Sequence, residues 1–424
     1  MKKFTIIALV VAITAVFAVT ATANEWNLYG SARVATYYQS QDLGKRLELV
    51  APRQFIAVEN RDAANQDKPK NTLWNLQGNS RVGATVKGDM LEARFEFSVT
   101  SDGGGGNVGA RRLYGVWKFT EGWGLKVGKD YTPMTFFLSG QVFQNDQGLL
   151  QVGNAYGARR GQLALEGKLG PGMLKVALID TTTSILATPN STTETLIPKL
   201  EASYEFNLSD TMSLHAFGGY QTYDIKTAQT PLGTAATPFT GTESTSVNSW
   251  MLGLGADLNF GPFFVKPQVS YYQNGTAAGW LPDGSTAGLP NYSTVTKRGA
   301  ATAANLLYGT TIDTNVIDTD VLDAKNLMAM LALGFKATES LGLEFGIGYV
   351  GYDTDSVANI SFKNNYMEYY LQAVFTMAPG VYIVPEIGYR DFGKDEGDRP
   401  IGVVAPDTDN GSLFYAGAKW QIDF

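Results

Sequence analysis

Apolar and polar side chains alternate along most of this chain with a period of two, the repeat of a strand that separates two environments. The last segment shows it most cleanly: Phe414, Ala416, Ala418, Trp420, Ile422 and Phe424 fall on one side, and Tyr415, Gly417, Lys419, Gln421 and Asp423 on the other. Near the start, Trp26, Leu28, Gly30, Ala32 and Val34 alternate with Asn27, Tyr29, Ser31 and Arg33. Leu91, Ala93, Phe95, Phe97 and Val99 are likewise opposed by Glu92, Arg94, Glu96 and Ser98. About sixteen such segments are found, at residues 26–38, 73–87, 90–100, 111–119, 124–130, 158–168, 173–180, 196–206, 211–225, 247–259, 263–273, 324–337, 343–352, 364–376, 381–392 and 412–424. An even count of sixteen strands is the expectation.

One face of these strands carries charge that hydrocarbon does not tolerate, and the other is aromatic and aliphatic. That combination suits a wall between lipid and water. A final strand able to pair with the first closes the sheet, so the predicted fold is all-β: a transmembrane antiparallel β-barrel. The connections alternate in length. Tight turns at residues 88–89, 170–172, 207–210, 261–262 and 378–380 are interleaved with longer polar loops, of which 39–71 and 274–323 are the longest. Short turns are expected on the periplasmic side and long loops outside. The long loops are read as covers for the mouth, as partner-binding segments or as solvated connections.

Composition narrows the reading further. Residues 1–23 have the form of a secretory signal peptide: Lys2 and Lys3, then a mostly apolar stretch, then Ala21, Thr22 and Ala23. Residues 24–424 then form one barrel domain. No second run approaches the ~20 apolar residues of a membrane-crossing helix, and the mean hydropathy of −0.09 fits alternating strands. There is no cysteine, which removes disulfides, thiol chemistry and iron–sulfur clusters. A net charge of −7 and the lack of a basic run exclude nucleic-acid binding.

Three pieces of sequence, in order, resemble the general bacterial porin family. They are Ser80-Arg81-Val82-Gly83 leading to Lys87-Gly88, then Arg112-Leu113-Tyr114-Gly115-Val116, then Val127-Gly128-Lys129-Asp130-Tyr131-Thr132-Pro133. Tyr29-Gly30 and the terminal Phe424 fit the same pattern, and Trp420, Ile422 and Phe424 resemble the C-terminal signal by which outer-membrane barrels are recognised for assembly. The resemblance covers the first 170 or so residues and the last strand. It implies an outer-membrane homotrimer of sixteen-stranded barrels, in contact with lipopolysaccharide and the barrel-assembly machinery, each with a third external loop folded inward. It further implies a constriction where basic wall residues face that loop. Arg81, Arg112 and Arg160 match the wall positions, and strand parity adds Arg33.

The loop, residues 132–157, departs from the family pattern: its one acid is Asp146, beside Phe136, Phe137, Phe143, Gln141, Gln144, Asn145 and Gln147. The wall cations therefore outnumber the loop acids, and weak anion preference or none is expected, because charge at the narrow point outweighs the charge of the whole. The resulting expectation is a general diffusion porin passing ions and small hydrophilic solutes. Alternatives are a channel selective for a sugar or an anion, and a structural or partner-binding barrel. Catalysis is not expected. His215 is the one histidine, and although Ser213 is two residues away, no motif supplies a third group or an oxyanion hole. Acidic groups at 353–356 and 395–398 lack a metal-ligand spacing, and no cofactor motif is present.

Overall fold

The alternating segments become sixteen wall strands in the computed structural model, which describes residues 25–51, 54–101, 106–181, 191–228, 242–281, 294–298, 318–354, 361, 363–396 and 406–424. The expected signal peptide lies outside the described residues, as do residues 282–293 and 299–317 of the longest loop. The wall strands are β1 (Glu25–Asp42), β2 (Lys70–Leu76 and Arg81–Lys87), β3 (Leu91–Ser101), β4 (Gly106–Thr120), β5 (Trp123–Tyr131), β6 (Arg159–Leu169), β7 (Gly172–Ile179) and β8 (Ser191–Glu194 and Lys199–Ser209). They continue as β9 (Met212–Ala228), β10 (Thr242–Phe260), β11 (Phe263–Gln273), β12 (Ala324–Lys336), β13 (Leu341–Thr354), β14 (Lys363–Ala378), β15 (Val381–Asp391) and β16 (Ser412–Asp423). β2 and β8 are each one wall strand in two collinear pieces, since both pieces pair with the same neighbour, β1 and β9 respectively.

Each strand is antiparallel to the next, and β1 pairs with β16 from Ser31 opposite Asp423 to Asp42 opposite Ser412. The seam finishes with a reciprocal pair: Gly30 N–H donates to the Phe424 carbonyl and Phe424 N–H to the Gly30 carbonyl, at 2.6 and 3.0 Å. Among the described residues the barrel sheet closes on itself without an open edge, which is the condition for strands to cross hydrocarbon. The parity expected of β16 is observed. Trp420, Ile422 and Phe424 stand outward at 48%, 53% and 73% exposure, while Lys419 and Tyr415 are buried inside. Leu28, Leu113, Leu163, Leu252, Leu254 and Leu371 continue the exposed apolar belt on other strands. Among the described residues no helix is long and apolar enough to cross a membrane.

Two departures from regular pairing position the site. The expected continuous strand 73–87 breaks between Leu76 and Arg81, where Gln77 is fully buried and turns its side chain into the lumen. In β4 the register shifts: Glu96 lies opposite Arg112, but Phe97 lies opposite Ala110, so Arg111 is an extra residue in the ladder. Such a bulge rotates the side chains on either side of it. Arg111 and Arg112, which strict alternation would send to opposite faces, both point into the lumen.

Gly417 occupies the closing seam opposite Tyr37, and a side-chain carbon there would overlap the Thr36 carbonyl and crowd the Tyr37 backbone. Backbone cannot yield as a side-chain tip can. Gly417→Val is expected to destabilise the barrel by ~1–3 kcal/mol and to lower the temperature at which the folded band disappears in heat-modifiability gels.

Candidate functional site

The connection between β5 and β6, residues 132–158, folds into the barrel and carries one short helical turn, α1 (Phe143–Asp146). Its backbone is unusual. Gln144, Asp146, Leu149, Gln151 and Ala158 all have φ between 52° and 64°. Non-glycine residues in that region cost on the order of 1 kcal/mol or more each, and persist only where the surroundings over-determine them. Here the surroundings are the inner faces of β13 to β16. Glu386 accepts hydrogen bonds from Val142 N–H and Phe143 N–H, at 2.7 and 3.1 Å, and Glu344 accepts one from Gly140 N–H at 2.7 Å. Gln141 donates through Nε2 to Glu368 and to Tyr415 Oη, while its Oε1 accepts from Leu149 N–H. Phe143 stacks on Tyr415 with ring centres 3.6 Å apart, and the Arg390 guanidinium lies 4.9 Å from the Phe143 ring centre.

From the other side, the break in β2 grips the loop tip. Gln77 Nε2 donates to the Val142 and Gln144 carbonyls, Gly78 N–H donates to Asn145 Oδ1, and Asn79 Nδ2 donates to Asp146 Oδ2 at 2.7 Å. The residues that interrupt the wall are therefore those that hold the loop. A cavity of about 750 Å³ remains between the loop and the wall of β1 to β6. Its lining includes Arg33, Arg81, Arg111, Arg112, Arg159 and Lys419, against Asp146 as the one carboxylate among the described residues that line it.

Three carboxylates order these cations. Asp146 bridges Arg33 and Lys419, the latter at 3.1 Å. Glu96 lies beneath Arg81, Arg94 and Arg111, at 3.7, 3.0 and 2.7 Å, with a side chain only 1% exposed. Asp130 takes Arg112 at 2.6 Å and Lys126 at 2.8 Å, and Lys126 reaches Glu166 as well. Tyrosines space the guanidinium groups. Arg112 and Arg159 lie 5.4 and 5.3 Å from the Tyr131 ring centre, and Tyr131 Oη accepts from Arg159 at 3.2 Å. Glu96 and Asp130 lie beneath the cations they hold, whereas Asp146 lines the cavity itself.

Of the residues singled out in the sequence, Arg33, Arg81, Arg112 and Asp146 line this cavity together. Arg160 does not. Ala158 has a positive φ at the start of β6, and Arg159 takes the place at the lining beside Tyr131, whereas Arg160 lies opposite Asp130 in the ladder with its Nε unpartnered. Arg111 was hidden by the bulge, which strict alternation does not reveal. Lys419 was legible as inward-facing, but only the folded loop brings it to Asp146. Ser213 Oγ and His215 Nε2 lie 3.2 Å apart, but His215 Nδ1 has no partner and its ring packs against Phe136, with centres 4.3 Å apart. Of the acidic loop groups, Asp355, Ser356 and Asp398 lie outside the described residues, and Asp395 accepts from Asn364 and Asn410.

No family model matches the sequence, and no curated protein matches it. Solved structures do match over nearly the whole chain. The outer membrane channel DcaP of Acinetobacter baumannii aligns with a TM-score of 0.61 at 15% identity, covering 96% of this chain and 99% of that one. The fold is that of the outer-membrane porins. An anion-selective porin from Comamonas acidovorans aligns with a TM-score of 0.54 at 12% identity, covering 95% of this chain and all of that one. OmpT of Vibrio cholerae gives 0.51 at 14% identity, over 95% and 99% of the two chains.

Within this porin fold the loop rests directly on β13. A side-chain carbon at Gly348 would overlap the Val152 carbonyl of the loop. Gly348→Val is therefore expected to push the loop away from its anchoring wall and into the cavity, lowering single-channel conductance while leaving the barrel assembled. Planar-bilayer recordings beside wild type check this.

Proposed function

We propose that this chain forms a passive, water-filled channel of the outer membrane that favours small anions over cations. The observation that carries the reading is the charge at the cavity between loop and wall: six cationic side chains against one carboxylate, itself engaged by two of those cations. Fixed charge at the narrowest point sets ion preference more strongly than the net charge of −7 spread over the chain. A porin described as anion-selective is among the similar structures, which supports the same sign. The apolar outer belt supports residence in a membrane, and a similar structure described as a trimer supports a homotrimer; contact with lipopolysaccharide and assembly by the barrel machinery rest on the sequence resemblance alone.

The reading is non-catalytic. A serine is activated when its histidine is in turn oriented by a third group. His215 Nδ1 instead lies unpartnered beside Phe136.

Reversal potentials in planar bilayers under a salt gradient test the sign. Anion preference is expected in wild type, a smaller one in Arg81→Ala and Arg112→Ala, and a larger one in Asp146→Asn, which releases Arg33 and Lys419 from their counter-charge. A unit charge ~4 Å from a permeating ion in water is worth about 1 kcal/mol, so each change should alter the permeability ratio by up to about five-fold at low salt. The preference should fade towards 1 M salt, where the screening length is ~3 Å. Clear cation selectivity, increased further by Arg112→Ala, would overturn the proposal.

A further inference from the structure

The loop of residues 132–158 is not alone in the lumen. Where β11 ends, the chain turns inward instead of outward, and residues 274–281 are packed inside the barrel. Asn274, Ala277, Ala278, Trp280 and Leu281 are all buried, Trp280 completely. The segment is a tight coil, closed by Gly279 N–H donating to the Thr276 carbonyl and Trp280 N–H to the Gly275 carbonyl, both at 3.0 Å. Asn274 pins its root. Its N–H donates to the Ala324 carbonyl at 2.7 Å, and its side-chain oxygen accepts from Ala324 N–H at 2.9 Å.

The wall beneath this coil is polar, as a water-filled lumen requires, yet it is covered. Lys199, Glu201, Gln221 and Ser249 face inward from β8, β9 and β10 and are completely buried. Each finds a partner in the coil. Lys199 Nζ donates to the Ala278 carbonyl at 3.0 Å, Gln221 Nε2 to the Ala277 carbonyl at 3.3 Å and Ser249 Oγ to the Asn274 carbonyl at 3.0 Å, while Glu201 accepts from Trp280 Nε1 at 2.8 Å. Buried polar groups need such partners, and these four would be equally served by water if the coil were absent. Gly219 makes the room: a side-chain carbon there would come within 2.7 Å of the Trp280 ring. Trp280 and Leu281 then join Met134, Val152 and Ala155 of the inward loop in one apolar cluster with Phe217, Met251 and Tyr272 of the wall.

We propose that residues 274–281 are a second constriction element, which fills the β8–β10 side of the lumen and confines passage to the arginine-lined side. The inference rests on the channel reading above. It adds that the open cross-section and its charge are set by two inward segments clasped together, not by one. Beneath the coil Lys199 is paired with Glu201 at 3.8 Å, beside the uncharged Gln221 and Ser249. Opening this side would add a path without the charge bias of the arginine side.

The test replaces residues 275–281 by glycine and serine at unchanged length, with Trp280→Ala as a milder variant, and compares each with wild type in planar bilayers after heat-modifiability gels confirm folded barrels. The expected result is higher single-channel conductance together with a lower anion-to-cation permeability ratio, strongest in the seven-residue exchange. A wild type that conducts with anion preference and folded variants with unchanged conductance and ratio would overturn this inference and leave the channel reading standing. A silent wild type beside a conducting exchange variant would overturn the channel reading for the intact protein and support the plug. Silence in both would overturn both. Because the chain has no cysteine, Ala278→Cys supplies a single reporter in an otherwise native lumen. Its thiol is expected to resist a small, membrane-impermeant thiol reagent, and modification as fast as that of a thiol placed at exposed Phe137 would overturn the seated position of the coil.

Discussion

Inside a hydrocarbon layer no water is available to satisfy a backbone N–H or C=O, and each group left unpaired costs several kcal/mol. The pairing of β1 with β16 meets that demand here: without it two long strands would present open edges to lipid. The rest of the structure follows from closure. A closed sheet has one face toward lipid and one toward an enclosed space, so the alternating side chains have one compatible assignment, and shifting the register by one residue would exchange the faces. Lys419 and Trp420, adjacent in sequence, end in opposite environments for that reason.

What fills the enclosed space is a separate matter. A sixteen-stranded wall encloses more volume than its own side chains fill, and this chain uses two of its longer connections to occupy it. The first is held under strain, with five non-glycine residues at positive φ, by carboxylates of the wall that accept its backbone N–H groups. The second is held by wall groups that bond to its carbonyls and by a tryptophan that bonds to a wall carboxylate. In both, a polar inner wall acts as a surface for binding backbone. The space that the two segments leave beside β1 to β6 is lined by Arg33, Arg81, Arg111, Arg112 and Arg159.

The likeness to solved porins at 12–15% identity shows how little of such a fold depends on particular residues. Period-two alternation, turn chemistry and a closing strand are enough, because any apolar side chain serves the lipid face and any polar one the lumen. Alternation by itself led to sixteen strands, to the orientation of β16, and to Arg33, Arg81 and Arg112 as lumen residues. Asp146 stood out as the one acid of its loop.

Local exceptions to the period were not legible, since they arise from contacts between segments far apart in sequence. The extra residue in β4 that turns Arg111 inward depends on pairing with β3. The break in β2 exists because Gln77, Gly78 and Asn79 bond to a loop some 65 residues further on. The positive φ of Ala158 and the place of Arg159 rather than Arg160 at the cavity belong to the same loop's return to the wall. Nor does anything in the composition of residues 274–281 distinguish an outward loop from an inward coil; the polar groups of three other strands decide it. The sequence by itself determined which environment each strand face meets, because that depends on a short-range period. Only the tertiary structure decided which parts of the lumen are filled and which cations remain open, because those are matters of long-range hydrogen bonding and space.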